Sequence, residues 1–392
     1  MKKILCILLA LSILLSCAII STSAEEAKDT PIILIHGMMG WGEDSDQWDS
    51  NPYFGMGAGS LPEMLRENGY TVYAPSVSPM GSVHDRCCEL YAKLTGTIVD
   101  YGEAHSQKYG HERYGRDYTG QALIENWDFD EIILIGHSFG SPTAKAFASL
   151  CAYGDADERE ASGDDVSPLF AGGHEDTVKA VIGFVGPYNG STLSNLMMTP
   201  VLGSIYCIGM NIASVTGAMD FMLDEWGLSD KFSISKSIKL LNSHDHCGYE
   251  MTIGGAREMN EKYPDNASTI YISLAASMTQ MNENGNVTIS SGTMAFMKAT
   301  ALIQKLYAGK TVDGIELSED WAMTDGMVPL PAARCPYGSE CVEWDFGEEL
   351  TAGVWNMAPV RYNSSHGYGC SPAGQTTEEF LQMYISLIDS VI

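Results

Sequence analysis

One stretch of the chain reads Glu131-Ile132-Ile133-Leu134-Ile135-Gly136-His137-Ser138-Phe139-Gly140. A short, entirely apolar run such as residues 132–135 is typical of a strand buried on both faces of a parallel sheet. It leads into the pattern Gly-x-Ser-x-Gly, and residues 139–151 then follow with the apolar spacing of a helix. Strand, tight turn and helix are the setting in which this pattern presents a nucleophilic serine. Ser138 is therefore the candidate nucleophile, and the alternative is an ordinary turn that contains a serine.

Similar runs recur on both sides of this stretch and alternate with helical patterns. The end of the chain predicts a helix that opens with a capping box formed by Thr376 and Glu379. Buried strands alternating with helices predict an α/β fold, in which a mostly parallel central sheet is flanked by helices. No linker of Gly, Ser and Pro divides the chain, so residues 25–392 are predicted to form a single domain. The other apolar runs of strand length lie at residues 31–37, 70–74, 178–185 and 269–275.

The composition is that of a globular protein, with 392 residues of which 45% are hydrophobic and 18% are charged. Asp and Glu together number 50 and Lys and Arg only 22, which gives a net charge of −28. Nucleic-acid binding requires a basic face that neutralises phosphates. The charge balance therefore argues against a nucleic-acid partner.

The first 24 residues have the features of a secretory signal peptide. They begin with Met1-Lys2-Lys3, continue with a mostly apolar run at residues 4–20, and end on the small residues Ser21-Thr22-Ser23-Ala24. We therefore expect a secreted, extracellular protein that has lost this segment. Two alternatives remain: an uncleaved anchor helix, and a lipoprotein acylated at Cys17, which ends the stretch Leu14-Leu15-Ser16-Cys17.

Eight cysteines remain after the predicted signal peptide, and secretion would permit them to form disulfides. Cys335 and Cys341 bracket a turn-forming stretch and are the best candidates for a pair. No Cys-x-x-Cys motif occurs, so a zinc site built from thiolates is not indicated.

A serine nucleophile requires a base and an acid, which follow it in the chain order Ser, Asp, His in this fold. Among the histidines after Ser138, only His366 lies in a loop about ten residues before the closing helix, where the base is expected. The residues alone leave the acid open. They favour Asp325, which Gly326 follows in a tight turn, over three rivals. The histidines not chosen are His174, His244 and His246, and the rival acids are Asp313, Asp320 and Asp345.

The oxyanion of an acyl-transfer intermediate is held by two backbone N–H groups. One belongs to the residue after the nucleophile, here Phe139, and the other to a loop after an early strand. The loop His36-Gly37-Met38-Met39-Gly40 follows the first apolar run, so Met38 is the candidate for the second donor. His36 itself is interpreted as structural.

These features, together with several longer blocks, resemble the zinc-containing thermoalkalophilic bacillus lipases, lipase family I.5. The resemblance covers most of the mature chain. It implies the α/β-hydrolase fold and a triacylglycerol lipase activity, and it matches Ser138, Asp325 and His366 to the family's triad. It also matches Met38 and Phe139 to the oxyanion donors. The blocks are residues 36–42, Asp85-Arg86 with Tyr91, and residues 100–116, 167–174, 223–228 and 353–356.

The same resemblance implies a structural zinc ion. The family binds zinc through two Asp and two His, and the matching positions are Asp85, His105, His111 and Asp224, with a zinc-binding insertion at about residues 81–118. A set of two nitrogen and two carboxylate ligands suits tetrahedral zinc. Spacing alone would not identify this site.

Three departures from the family pattern are informative. The nucleophile motif begins with Gly136 where the family has alanine. The two acidic calcium ligands of the family are matched by Tyr368 and Ala373, which supply no carboxylate, so the calcium site is expected to be absent. Met38 replaces a large aromatic residue beside the first oxyanion glycine.

Residues 191–222 contain a single charged residue, Asp220, and are rich in methionine. Their position matches the lid of the family, and the flexible side chain of methionine suits contact with irregular lipid surfaces. We therefore predict a helical lid that binds the lipid–water interface. The alternative is a pair of helices buried in the core.

The sequence thus predicts a secreted lipase that hydrolyses carboxylic esters through an acyl-enzyme. Within the same class, the alternative is a carboxylesterase that acts on short soluble esters. The alternatives from other classes are a zinc-dependent hydrolase and a non-catalytic lipid-binding protein. The sequence does not predict an oligomeric state.

Overall fold

The computed structural model describes residues 28–392, except residues 218, 230, 292 and 293. The predicted signal peptide at residues 1–24, with the alternative acylation site Cys17, lies outside the described residues. Strands and helices alternate along most of the rest of the chain.

The strands are β1 (Ile32–Ile35), β2 (Val72–Tyr73), β3 (Ile98–Asp100), β4 (Tyr114–Asp117), β5 (Ile132–His137), β6 (Val178–Phe184), β7 (Ile270–Leu274), β8 (Ala276–Ser277), β9 (Thr279–Met281), β10 (Val287–Ile289), β11 (Thr311–Val312), β12 (Ile315–Glu316), β13 (Cys341–Glu343), β14 (Trp355–Met357) and β15 (Arg361–Tyr362). The α-helices are α1 (Leu61–Glu67), α2 (Val83–Thr95), α3 (Glu103–Tyr109), α4 (Gly140–Tyr153), α5 (Ala156–Ser162), α6 (Pro168–Ala171), α7 (Thr192–Met197), α8 (Pro200–Val215), α9 (Ile234–Ser243), α10 (Cys247–Glu250), α11 (Ile253–Lys262), α12 (Ala295–Lys305) and α13 (Thr377–Asp389). Short 3-10 helices span Gly163–Asp165, Glu319–Ala322 and Leu330–Ala333.

The central sheet contains seven strands in the order β13-β14-β7-β6-β5-β1-β2, and every neighbouring pair is parallel. All five apolar runs identified in the sequence are strands of this sheet, so the predicted α/β class with a parallel central sheet is confirmed. β1 and β5 lie side by side near one edge and are buried along their whole length, as expected for strands covered on both faces.

Hydrophobic layers cover both faces of the sheet. Successive side chains of a strand point to opposite faces, and accordingly Ile33 packs in one layer with Phe147 of α4, while Leu34 packs in the other with Phe380 of α13. The predicted capping box is confirmed: the Glu379 amide donates to the Thr376 hydroxyl, and the Thr376 amide donates to the Glu379 carboxylate.

The predicted disulfide is also confirmed, because Cys335 and Cys341 are bonded with their Cα atoms 6.2 Å apart. The other cysteines of the described residues are buried thiols. Within the same part of the chain, no helix has both the length and the apolarity needed to cross a membrane.

Candidate active site

Ser138 lies in the turn between β5 and α4, at the carboxyl end of the sheet. Its backbone has a φ of 55°, in the left-handed region that residues other than glycine rarely adopt. Only glycine fits at the two flanking positions, 136 and 140, because a Cβ atom at either one would clash with the backbone. A Cβ atom on Gly140 would lie 1.9 Å from the carbonyl oxygen of Ile35, and one on Gly136 would lie 2.4 Å from the backbone of Gly140. The stretch therefore has the strand–turn–helix geometry that the sequence predicted.

The structure brings together the three residues that the sequence proposed as nucleophile, base and acid. The Nε2 atom of His366 lies 2.8 Å from the hydroxyl of Ser138. Its Nδ1 atom lies 2.7 Å from the Oδ2 atom of Asp325. One imidazole thus bridges a hydroxyl and a carboxylate that lie far apart in the sequence. This is the arrangement in which the imidazole can take a proton from the hydroxyl while the carboxylate orients the ring.

The carboxylate of Asp325 is buried and held by its own loop. Its Oδ1 atom accepts hydrogen bonds from the amides of Met327 and Val328, both at 2.8 Å. The amide of His366 in turn donates to the Asp325 carbonyl at 3.0 Å, which joins the two loops. The rival acids lie elsewhere and bond to other neighbours: Asp313 accepts from Asn195 and Gly254, Asp320 from Ser318, and Asp345 from Phe346.

The loop that follows β1 runs directly beside the serine. A Cβ atom on Gly37 would lie 2.7 Å from the Cβ of Ser138, so only glycine fits there. The buried guanidinium of Arg86 donates to the carbonyl of His36 and lies 5.3 Å from the centre of the Phe139 ring. One side chain therefore holds both segments that carry the predicted oxyanion donors, Met38 and Phe139.

A buried chain of hydrogen bonds, which the sequence did not predict, links this loop to His366. The Gly37 amide donates to the Tyr53 hydroxyl at 2.9 Å, and that hydroxyl lies 2.7 Å from Nδ1 of His137. Nε2 of His137 lies 2.8 Å from the carbonyl of His366. Because the carbonyl can only accept, Nε2 of His137 donates, and its Nδ1 accepts from Tyr53. The only signal in the sequence was the position of His137 inside the serine motif.

Two histidines of this region are held neutral. Burial, assisted by the nearby His366, lowers the pKa of His137 from 6.5 to about 3. Burial, assisted by the charge of Arg86, lowers the pKa of His36 from 6.5 to about 3. His36 accepts from the Val77 amide and bonds to the carbonyl of Gly37, which agrees with a structural role.

These two pKa values predict a loss of stability in acid. Between about pH 6.5 and 3 the unfolded chain binds protons at His36 and His137 that the folded chain does not, so the free energy of unfolding falls as the pH falls. Each histidine contributes about 1.4 kcal/mol per pH unit within that window. Denaturant unfolding at a series of pH values measures the slope. His137→Gln keeps a side-chain donor but does not titrate. The slope of its free energy of unfolding against pH should therefore be smaller by the contribution of one proton. Equal slopes for the two proteins would contradict this assignment.

Four buried polar side chains form a second cluster. Asp85, His105, His111 and Asp245 each offer a ligand atom, and these atoms all lie within 4.8 Å of one another. Nε2 of His105 is 3.1 Å from both Asp85 and Asp245, and Nε2 of His111 is 3.2 Å from Asp245.

The prediction that Asp224 belongs to this cluster is wrong. Its carboxylate is partly exposed and pairs with the guanidinium of Arg116, which also binds Asp220. The block around Asp224 does flank the cluster, since Trp226 packs on the ring of His111 with centroids 5.2 Å apart. The carboxylate at the centre comes instead from Asp245, which follows α9 closely and is buried.

The donor set of this cluster fits a metal ion. The carboxylate oxygens of Asp85 and Asp245 and the Nε2 atoms of both histidines are buried, yet none has a partner with hydrogen-bond geometry. A single ion could contact all four residues, because their ligand atoms lie close together. Nδ1 of His111 lies 2.9 Å from the carbonyl of Glu112, so Nδ1 carries the proton and the Nε2 lone pair faces the cluster. Two nitrogen and two carboxylate ligands match the tetrahedral preference of zinc.

Helix α8, within residues 191–222, lies over the loop beside the serine. The hydroxyl of Tyr206 is 3.5 Å from the sulfur of Met38 and 3.2 Å from that of Met80. The opposite side of the helix faces solvent, where Val201 is 70% and Ile205 64% exposed. The alternative of a helix pair buried in the core does not describe this arrangement.

Comparison with known proteins identifies relatives. The family model described as "Lipase-like, C-terminal domain" matches residues 28–392. A lipase of Staphylococcus epidermidis is 30% identical in an alignment of 383 positions, which covers 93% of this chain and 54% of that protein. The chain thus spans about half the length of the curated relatives it matches.

Two solved structures are similar over nearly the whole chain. The lipase of Staphylococcus hyicus has a TM-score of 0.79 at 29% identity, and the match covers 92% of this chain and 94% of that one. EstA from Clostridium botulinum has a TM-score of 0.79 at 29% identity, covering 93% of this chain and 88% of that one.

Proposed function

The chain belongs to the family of the lipase-like C-terminal domain, and on that premise we propose that it is a carboxylic-ester hydrolase, a triacylglycerol lipase. The observation that carries this proposal is the imidazole of His366, which lies within hydrogen-bond distance of both Ser138 and Asp325. Membership of the family and the geometry of the site support the same chemistry.

In the proposed reaction, the hydroxyl of Ser138 attacks the ester carbonyl while Nε2 of His366 takes its proton. Asp325 orients the imidazole and stabilises its charged form. The amides of Met38 and Phe139 bind the oxyanion of the tetrahedral intermediate. His366 then protonates the leaving alcohol, and water hydrolyses the acyl-enzyme by the same steps in reverse order.

The lid is part of the proposal, at residues 191–222. Helix α8 combines a face that contacts Met38 with an outer face of exposed aliphatic side chains. In the closed form that we propose, α8 covers the approach to Ser138. A lipid–water interface would stabilise an open form by burying the apolar side chains, which shifts the population toward the form that admits substrate. This exposed apolar face favours a lipase over an esterase for short soluble esters.

The test is hydrolysis of an ester series, from a soluble acetate to an emulsion of long-chain triglyceride. We expect the rate to rise sharply as the concentration of a sparingly soluble ester passes its solubility limit, because the aggregate stabilises the open lid. A smooth saturation curve through that limit would support the carboxylesterase alternative instead. Absence of hydrolysis for every ester would leave the non-catalytic lipid-binding alternative.

We also propose that Asp85, His105, His111 and Asp245 hold a structural zinc ion. The orphaned buried ligand atoms of this cluster support the proposal. Bound zinc would supply a cross-link between the segment around α2 and α3 and the segment that follows α9. Four protein ligands complete a tetrahedral shell and leave no position for a reactive water, which disfavours the zinc-dependent hydrolase alternative.

Removal of the metal should lower stability and leave the chemical step intact. A ligand that binds only the folded state stabilises it by about 4 kcal/mol at a thousandfold excess over its dissociation constant. We therefore expect a chelator to lower the melting temperature by several degrees. Asp245→Asn should reproduce this effect and reduce the bound zinc, measured by elemental analysis. Asp224→Asn is the matched control and should keep full zinc content. Equal zinc content in both variants, or melting curves unchanged by chelator, would contradict the ligand set.

Three further parts of the proposal follow the sequence. We propose that residues 25–392 form one domain, that the protein is secreted after removal of residues 1–24, and that it is related to the thermoalkalophilic lipases through the zinc cluster. The N-terminal sequence of the secreted protein tests the second of these, since a lipid-modified Cys17 at the terminus would indicate a lipoprotein.

A further inference from the structure

Helix α12, outside the proposed lid, presents large apolar side chains to solvent. Phe296 is 61% and Leu302 58% exposed, and the flanking Met294 and Leu306 are 62% and 64% exposed. A single exposed apolar side chain is common, but several around one helix form a patch of the kind that binds a partner or a lipid surface. The side chains that attach the helix to the protein are Thr300, Ala301 and Gln304.

The charge of this segment is opposite to that of the chain. Residues 284–312 contain Lys298, Lys305 and Lys310 and no Asp or Glu, although the chain as a whole has a net charge of −28. A negatively charged surface is repelled by most of this protein, because like charges oppose approach. The α12 segment instead offers such a surface both lysines and exposed apolar side chains.

The apolar surface of α12 continues into the proposed lid. Helix α12 packs beside α7, and a cleft of about 450 Å³ lies between Leu196 of α7 and Ile303 with Leu306 of the α12 segment. Helix α8 follows α7 after two residues and has no charged side chain. Helix α7 therefore contacts α12 and leads directly into α8.

The inner side of α12 rests on the loop that carries Asp325. The hydroxyl of Thr324 donates to the buried side chain of Gln304 at 3.2 Å. A Cβ atom on Gly326 would lie 3.2 Å from the Cβ of Met297. Thr324 and Gly326 flank Asp325, so a surface bound to the outside of α12 lies one helix away from the proposed catalytic acid.

We propose that α12 is a second lipid-docking element, which binds the negatively charged surface of aggregated ester substrate beside the lid. The inference rests on the proposed lipase function. Ester hydrolysis releases carboxylic acids, which are ionised at neutral pH, so the surface of a substrate droplet becomes more negative as the reaction proceeds. The apolar side chains of α12 enter the surface, and Lys298 and Lys305 contact its anionic groups.

Binding to vesicles that the protein does not hydrolyse tests this inference apart from catalysis. The probes are vesicles of ether-linked phosphatidylcholine, with and without ether-linked phosphatidylglycerol. The variants are Phe296→Ser with Leu302→Ser, and Lys298→Gln with Lys305→Gln. The controls are Ile98→Ser, at an exposed residue of β3, and Lys28→Gln with Lys179→Gln. Hydrolysis of a soluble short-chain ester is measured for every protein. The molecular mass in solution is also measured, by sedimentation, to detect self-association.

The apolar variant should bind both kinds of vesicle at least about tenfold more weakly, since each side chain loses transfer free energy of the order that a buried Phe or Leu provides. The lysine variant should lose about fivefold in vesicle affinity for each lysine replaced. This loss should occur only with vesicles that contain phosphatidylglycerol, and it should be smaller at high salt. Hydrolysis of emulsion should fall with binding, and hydrolysis of soluble ester should not.

Three results would overturn the inference. The first is vesicle affinity equal to that of the controls. The second is an equal loss on soluble ester, which would assign α12 to support of the Asp325 loop. The third is a lower sedimentation mass of the apolar variant with unchanged vesicle affinity, which would make a second copy of the chain the occupant. A wild-type protein that binds vesicles but hydrolyses no ester would instead contradict the proposed function alone.

Discussion

Replacing Ser138 by alanine is expected to lower kcat on a soluble ester by on the order of 10³–10⁶, as removal of an acyl-enzyme nucleophile does. The reason is geometric: the hydroxyl is the only group that the turn places 2.8 Å from Nε2 of His366. Alanine keeps the Cβ atom that packs beside Gly37, so the variant should fold normally. The measurement is steady-state hydrolysis beside circular dichroism and thermal melting.

A matched control lies in the same turn. Ser141 is buried, and its hydroxyl donates to the carbonyl of Gly136 at 2.9 Å. Ser141→Ala therefore removes a structural hydrogen bond, with a net contribution of about 1 kcal/mol, and should retain most activity. If Ser138→Ala kept more than a tenth of the wild-type rate, the serine-hydrolase mechanism would have to be abandoned.

Replacing Asp325 by asparagine should cost on the order of 10⁴ in kcat, because the amide stabilises the wrong tautomer of His366. The carboxylate accepts from Nδ1–H, which leaves Nε2 free to take the proton of Ser138. An asparagine can turn its N–H₂ toward Nδ1, and then Nε2 carries the proton and no longer acts as a base. The Oδ1 atom still accepts from Met327 and Val328, so folding should be preserved.

The rival acids supply the controls for this prediction. Asp313→Asn, Asp320→Asn and Asp345→Asn change carboxylates that bond elsewhere. Each should leave kcat within a small factor of wild type. A loss of the size expected for Asp325→Asn in any of them would move the role of acid to that residue. Measurement of both kcat and KM separates an effect on the chemical step from one on binding.

The parts of the site that were predictable from sequence depend on local geometry. The serine turn needs a buried strand before it and glycines at two fixed positions, and all of these are contiguous at residues 131–140. The capping box predicts where the closing helix begins, and His366 was predicted from its position about ten residues before that helix. Asp325 was only favoured by its turn. The residues alone left three rivals, because the meeting of two distant loops is a tertiary event.

The fourth residue of the proposed zinc cluster was assigned wrongly from the sequence. The block at residues 223–228 lies beside the cluster, since Trp226 packs on His111. Its carboxylate Asp224 nevertheless faces Arg116, and Asp245 takes the position at the centre. Which of two carboxylates is buried depends on how α9 packs, and no local pattern encodes that choice. In the sequence, the flanking His244 and His246 were considered only as alternatives to His366 for the catalytic base.

Elements with weak patterns were missed for a related reason. β13 and β14 extend the sheet at one edge, yet each has only three residues, and Val342 is 42% exposed. Such strands lack the continuous apolar run that identified the central ones. Helix α12 was missed for a different reason, because its large apolar side chains share a face that is turned away from the core. Its Phe296 and Leu302 face solvent.

The left-handed backbone of Ser138 sets a limit on how this chain can evolve toward heat resistance. Such a conformation costs a non-glycine residue about 1–2 kcal/mol, a noticeable share of the 5–15 kcal/mol typical of a folded domain. The strands and helix on either side hold it in place, and that conformation is what exposes the hydroxyl. Substitutions that relax the turn would raise stability at the expense of turnover. Gains without that loss have to come from positions remote from the turn, where tolerance to temperature and catalytic rate are separable traits.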